Sequence, residues 1–253
     1  MKSLGLRLAV FGLAAAGLGM MGPGLTIALA DSTTTTVQGT ADPFLAGMPS
    51  GSLCCSGDSA PAESPTLVSG IPLTAGEVIT FTNVTGSVSY AGGTPTDPPD
   101  GSFLITTSAY EGGNESPDNI AGFTNVPADS LVGVFLGPGL PTSNPAPASI
   151  DFSSSGVGTN FSSLSPVLQQ LFFIGDGLTG TGSGSVQTFI VPSGATQLYL
   201  GTGDGYGWYN NSGSFSVTVN TPGTVATPEP ASSLLLLIGI AGLALFARCP
   251  AQR

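Results

Sequence analysis

Residues 203–219, GDGYGWYNNSGSFSVTV, set the fold class. The second half of this stretch alternates strictly. Phe215, Val217 and Val219 fall on one side, and Ser214, Ser216 and Thr218 on the other. Side chains alternate across a β-strand, so the pattern predicts a half-buried strand with one wet face. Ahead of it, Asp204, Asn210 and Asn211 occupy a glycine-rich loop that leaves two readings open. Asn and Gly tolerate positive φ, which suits a hairpin turn. One carboxylate and two carboxamides are also a set of hard oxygen donors, the ligand type calcium takes.

The same strand chemistry recurs upstream. The chain of 253 residues holds 38 Gly and 21 Pro, with few charges and no His. Such a composition disfavours long helices and suits short strands joined by turns. Strand-like pieces are expected at residues 67–71, 77–84, 86–90, 103–109, 172–174, 186–191 and 197–201. The uninterrupted apolar run LVGVFL at 131–136 is expected at the centre of the core. Residues 91–101 and 137–149 read as loops, residues 110–126 as a polar surface loop, and residues 164–171 as the only helical turn or two. The expected fold is all-β: an antiparallel β-sandwich or jelly roll spanning residues 67–220. Residues 31–66 are rich in Ser, Thr, Pro, Gly and Ala. They read as irregular cover with one weakly strand-like piece at 33–37.

The charge distribution excludes whole classes of function. The only basic residues are Lys2, Arg7, Arg248 and Arg253, whereas all fifteen Asp and Glu lie between Asp31 and Pro230. A body without Lys or Arg cannot neutralise phosphates, so nucleic acid is excluded as a partner, and so is attraction to an anionic lipid surface. Its carboxylates must face water, be protonated or take a metal ion. The lack of His removes the usual general base and the His-activated Ser or Cys nucleophile. No catalytic spacing of carboxylates is recognisable either, so the chain is not expected to be an enzyme. Of the three cysteines, Cys54 and Cys55 are adjacent and read as two incidental small residues.

Both ends read as targeting segments. Lys2 and Arg7 precede an apolar stretch at 8–18, and Pro23 and Gly24 break it. Ala28 and Ala30 then form the small-x-small pattern of signal-peptide cleavage. Residues 1–30 are therefore expected to be a signal helix. At the other end, a tether at 221–227 leads to Pro228, Glu229 and Pro230, and seventeen uncharged residues (231–247) follow before Arg248 and Arg253. As a helix those seventeen would span about 26 Å, close to the hydrocarbon thickness of a bilayer. The basic residues beyond would hold the C-terminus in the cytoplasm.

This tail, residues 228–253, resembles the PEP-CTERM sorting domain: Pro-Glu-Pro, one hydrophobic helix, then a short basic end. The resemblance implies recognition by an exosortase, a membrane-embedded Cys-dependent transpeptidase or protease, in a Gram-negative bacterium that makes extracellular polysaccharide. It also implies export, anchoring in the inner membrane facing the periplasm, and transfer to the cell surface or release.

Between the ends, Gly76-Glu77-Val78-Ile79-Thr80, residues 87–90, Ser116-Pro117-Asp118-Asn119, residues 131–137, residues 197–201 and Asn210-Asn211-Ser212-Gly213-Ser214-Phe215-Ser216-Val217 follow one another in the order of the bacterial calcium-dependent galactophilic lectins, which they resemble. The resemblance implies one calcium ion held by the side chains of Asp204, Asn210 and Asn211 and by the carbonyls of Tyr90 and Gly207, with two sugar hydroxyls completing the shell. The family's sugar-facing His-Pro-x-Gln corresponds to Ser116, Pro117 and Asn119, with Ser for His and Asn for Gln. Trp208 and Tyr209 would offer an aromatic face to a sugar ring, or else cap the edge of the sandwich. The function expected is calcium-dependent carbohydrate binding, with extracellular polysaccharide as partner. The alternative is a structural envelope or biofilm-matrix protein that recognises no sugar.

Overall fold

A computed structural model describes residues 31–105 and 116–222. The signal segment with Ala28 and Ala30 lies outside the described residues, and so does the sorting segment with Pro228, Glu229, Pro230, Arg248 and Arg253. No helix among the described residues is long and apolar enough to cross a membrane.

The protein is all-β, with 3-10 turns as its only helical elements among the described residues. Nine strands form two principal sheets. They are β1 (Asp31–Gln38), β2 (Thr66–Leu67), β3 (Val78–Ser89), β4 (Leu131–Leu136), β5 (Ser163–Leu164), β6 (Leu171–Phe173), β7 (Thr188–Ile190), β8 (Gln197–Thr202) and β9 (Ser212–Thr221). One sheet has the order β1-β9-β3-β7-β5 and the other β6-β4-β8-β2. Successive strands of this set alternate between the two sheets throughout, β5 adding to an edge of the first. Neighbours are antiparallel except β5 and β7, where Ser163 and Leu164 run parallel to Thr188 and Phe189. Shorter two-stranded pairs decorate the loops.

The inward faces share one hydrophobic core. In β9, Phe215, Val217 and Val219 are fully buried and Ser216 is exposed, as the alternation predicts. All six residues of β4 are buried, because β4 lies between β6 and β8 with its other face against the first sheet. Phe172 of β6 and Phe189 of β7 meet across the interior with ring centroids 5.4 Å apart. Such packing stabilises by burial of about 1.5–3 kcal/mol for each large apolar side chain. The two strands expected at 77–84 and 86–90 are one long strand, Val78–Ser89. Asn83 and Gly86 take φ of 50° and 106°, and the pairing with β9 shifts register between Ser216 and Thr218. A Cβ at Gly86 would collide with the Ser214 carbonyl, so glycine is required at this bulge. Residues 165–170 contain no helix; the chain there turns and forms an isolated bridge from Gln170 to Ala121.

The segment 31–66 departs most from expectation. Its first eight residues pair in full register with β9, from Asp31–Thr221 to Gln38–Ser214. Threonine is a good strand former, and here it pairs with the alternating Ser and Thr of β9. The chain then enters the core through Ala41, Asp42, Phe44, Leu45 and Ala46, all buried. The body therefore includes residues 31–66 and does not begin at 67. Cys54 and Cys55, read as incidental, are joined by a disulfide. Positive φ at Cys55, Ser56 and Gly57 (47°, 66° and 113°) folds the chain back sharply at this point.

Candidate functional site

The loop between β8 and β9 is held by acids from distant parts of the chain. Asp58 is fully buried, and its carboxylate accepts the N–H of Trp208 at 3.0 Å and of Tyr209 at 2.7 Å. These are the first N–H groups of the 3-10 turn Trp208–Asn210, which have no acceptor within the turn itself. Burial pushes the Asp58 carboxyl up to about 6; the Tyr209 and Trp208 N–H groups oppose the rise, and Glu63 and Asp204 add to it.

Asp204 lies at the centre of the acidic corner. Its Oδ1 accepts from the N–H of Gly205 (2.6 Å) and of Tyr206 (3.2 Å), and its Oδ2 accepts from Asn211 Nδ2 at 3.0 Å. Burial raises its pKa against the pull of these three donors. The Asn211 amide nitrogen also donates to the Gly39 carbonyl at 3.2 Å, which fixes the amide's orientation. Asn211 is 7% exposed, and its Oδ1 is buried with no hydrogen-bond partner. An orphan carboxamide oxygen beside a carboxylate has the chemistry of a hard-cation ligand, and calcium takes six to eight such oxygens.

The other expected ligands lie close by with their oxygens engaged. Asn210 Oδ1 accepts the Ala91 N–H at 3.0 Å, which ties it to the turn Tyr90–Gly92. The Tyr90 carbonyl accepts the Ser89 hydroxyl, and the Gly207 carbonyl accepts the Asn210 N–H at 3.4 Å. Asp204 and Asn211 are therefore directly joined, Asn210 is bonded to Ala91, the residue after Tyr90, and Gly207 supports the 3-10 turn. Carbonyl and carboxylate oxygens have further lone pairs, and Asn211 Oδ1 is the one oxygen of this set without a hydrogen-bond partner.

The expected sugar contacts are placed differently. Trp208 is fully buried. Its Nε1 donates to the Thr202 carbonyl at 2.9 Å, and its ring meets Phe44 edge-on with centroids 5.8 Å apart. It is a core residue and cannot stack on a sugar, because its ring is enclosed against Phe44 and its N–H is bonded to the Thr202 carbonyl. Pro117 is buried, Asn119 Nδ2 donates to the Thr142 carbonyl at 3.1 Å, and the Asn119 carbonyl accepts from Gln169. Ser116, Pro117 and Asn119 thus belong to a junction around Gln169 and do not line the cavity at Asp204. That cavity, about 230 Å³, is walled by Tyr90, Phe103, Ile105 and Tyr206, with Asp204 at its side. Tyr90 and Phe103 meet edge to face at 5.4 Å, and both are about half exposed. Tyr206, not Trp208, is the aromatic side chain of this loop that faces the cavity. The aromatic-rich GYGWY stretch signalled such a wall, but only the burial pattern tells which ring forms it.

Asp97 and Asp129 complete the corner and were not foreseen from sequence. Asp129 is fully buried and its Oδ2 accepts the Tyr90 N–H at 3.0 Å. Burial, with the Asp97 carboxyl beside it, pushes Asp129 up to about 7, and Asp204 adds to the rise. The Asp42 carboxyl lies within 4.8 Å of both sulfurs of the Cys54–Cys55 disulfide, but bonded sulfurs are not thiolate ligands. No family model, characterised protein or solved structure matches the chain.

Proposed function

We propose that this chain is an exported jelly-roll protein that binds calcium at the corner of Asp204 and Asn211 and, through the ion, hydroxyls of an extracellular polysaccharide. The alternation of strands between sheets supports the jelly-roll winding. One observation carries the binding reading: the buried, unpartnered Asn211 Oδ1 beside the Asp204 carboxylate, in a body whose residues 31–222 include no Lys, Arg or His. A divalent ion supplies the positive charge that the side chains lack, and it keeps coordination places for vicinal hydroxyls. Tyr90, Phe103 and Tyr206 would then form the apolar wall for a sugar ring. In this reading an exosortase recognises Pro228-Glu229-Pro230 at the tail and delivers the β body to the surface. The protein performs no catalysis.

The test is thermal unfolding of the full chain with and without calcium, followed by a glycan array. Calcium raises the melting temperature of the wild type, and Asp204→Asn abolishes the rise; an unchanged melting temperature in the wild type removes the metal reading. A second reading, a structural envelope or matrix protein without sugar recognition, is favoured by the position of Ser116, Pro117 and Asn119 away from the cavity. A calcium response together with a blank array selects it.

A further inference from the structure

The Cys54–Cys55 pair lies against a buried carboxylate. Successive side chains of a strand point to opposite faces. Here positive φ at Cys55 and Ser56 turns the chain between the paired stretches Leu53–Cys54 and Asp58–Ser59, and the two sulfurs meet. Asp42 approaches them from the segment that enters the core. One of its carboxylate oxygens and both sulfurs all lie within 4.8 Å of one another. Asp42 is fully buried, and Cys55 and Cys54 are 3% and 9% exposed.

One oxygen of this group has no role in holding the fold. Asp42 Oδ1 accepts the Phe44 N–H at 2.8 Å, whereas Oδ2 is buried with no hydrogen-bond partner. The bonded sulfurs carry no proton to give it, and residues 31–222 contain no Lys, Arg or His. Reduction changes the donor set. A dithiol breaks the S–S bond, is itself oxidised by two electrons to a disulfide, and leaves two thiols beside Asp42. A divalent ion that binds there displaces both thiol protons and takes two thiolates and a carboxylate oxygen. Thiolate is a soft ligand that suits zinc and not calcium. Zinc binds sulfur at about 2.3 Å and carboxylate oxygen at about 2.0–2.2 Å, so a tetrahedral ion would hold the three atoms about 3.6–3.8 Å apart. That spacing falls inside the 4.8 Å they now span.

We propose that Cys54, Cys55 and Asp42 form a redox-gated site for a thiophilic divalent ion, zinc by its donor set, closed while the sulfurs are bonded and open once they are reduced. The site shares no residue with the calcium reading and depends on neither calcium nor sugar. Cys54 pairs with Asp58, whose carboxylate holds the Trp208 and Tyr209 N–H groups, so the ion would brace the hairpin on which that loop rests.

The test titrates the full chain with cobalt(II), a zinc substitute whose bonds to thiolate give a charge-transfer band in the near ultraviolet. The protein is reduced with a dithiol, freed of it without air, and compared with the untreated protein. The expected result is one cobalt per reduced chain with the thiolate band, displaced by zinc, and no such band in the oxidised chain. Asp42→Asn, whose amide oxygen can still accept the Phe44 N–H, should keep the band and bind at least tenfold more weakly. The double variant Cys54→Ser, Cys55→Ser should lose the band. Cys249, the only other cysteine, remains in that variant, so a band that persists there would overturn the proposal. A reduced wild type without the band would overturn it, as would an Asp42→Asn variant that binds as tightly as wild type. Reduction that unfolds the body, read as a red shift of the emission of Trp208, would overturn it too. Should Asp42→Asn fail to fold, the comparison of reduced and oxidised wild type with the serine pair still decides.

Discussion

The carboxylate of Asp58 accepts the backbone N–H of Trp208, 150 residues further along the chain, at 3.0 Å. With the second bond to Tyr209, this acid determines the shape of the loop that carries Asp204, Asn210 and Asn211. Asp58→Ala removes the acceptor of two N–H groups where water has little access. Each group left unsatisfied costs about 1–3 kcal/mol, so a loss of about 2–4 kcal/mol is expected. Chemical denaturation measures it, with Asp58→Asn as the milder control because its amide oxygen keeps one of the two bonds. Equal stability of Asp58→Ala and wild type would mean that the loop is held by other contacts.

The pH dependence should be the reverse of that of most proteins. Burial pushes the Asp42 carboxyl well up, opposed by the Phe44 N–H and reinforced by Asp58, Asp118 and Asp204; Asp58 is pushed to about 6. In the unfolded chain both acids titrate near pH ~4. The folded state therefore keeps protons that the unfolded state has released. Their contribution to stability is complete below about pH 4 and is lost as the pH rises through about 6 for Asp58 and through the raised pKa of Asp42. Calorimetry in the absence of divalent cations should give a higher melting temperature at pH 5 than at pH 8. The opposite order would contradict the burial of these carboxyls.

Trp208 is the only tryptophan of the chain, which makes its emission a direct report on this position. A fully buried indole bonded to the Thr202 carbonyl should emit at short wavelength, resist quenching by acrylamide and shift to the red on unfolding. Added sugars should leave its emission unchanged. Trp208→Ala should cost about 3–5 kcal/mol, as for other large aromatic truncations in cores. A red-shifted, easily quenched tryptophan in the folded protein would return it to the surface as a candidate sugar platform.

Deletion of residues 31–38 tests whether β1 belongs to the body. The deletion would uncover the edge of β9 and remove the buried Val37. The expected product is insoluble or rapidly cleaved by protease in a limited-digestion assay. A deletion variant as protease-resistant as wild type would restore the reading of this segment as dispensable cover.

These residues show what the sequence discloses. The alternation in β9 and the apolar run of β4 were legible because periodicity and side-chain polarity act locally. The lack of base in an acidic body was legible as composition. The role of 31–46 was not, because Ser, Thr, Pro and Gly are common to linkers and to strands at an edge, and only pairing with β9 distinguishes the two. Trp208 was misjudged because three aromatic residues within four positions of a Gly-rich loop carry no local mark of which one turns inward. The partners that enclose Trp208, Phe44 among them, come from a region with no sequence pattern linking it to the loop. Asp97 and Asp129 were invisible as a pair for the same reason: each is an isolated loop acid until the fold brings them together.

The pairing of β1 with β9 also governs when folding can finish. The Thr221 hydroxyl reaches back to the Asp31 carbonyl across 190 positions, and β9 lies between β1 and β3. A chain made from its N-terminal end therefore has its first strand waiting, without its one sheet neighbour, until almost the whole body is complete. Contacts of such long range slow folding. The topology thus lets β1 lock into its sheet only after the last strand has been made.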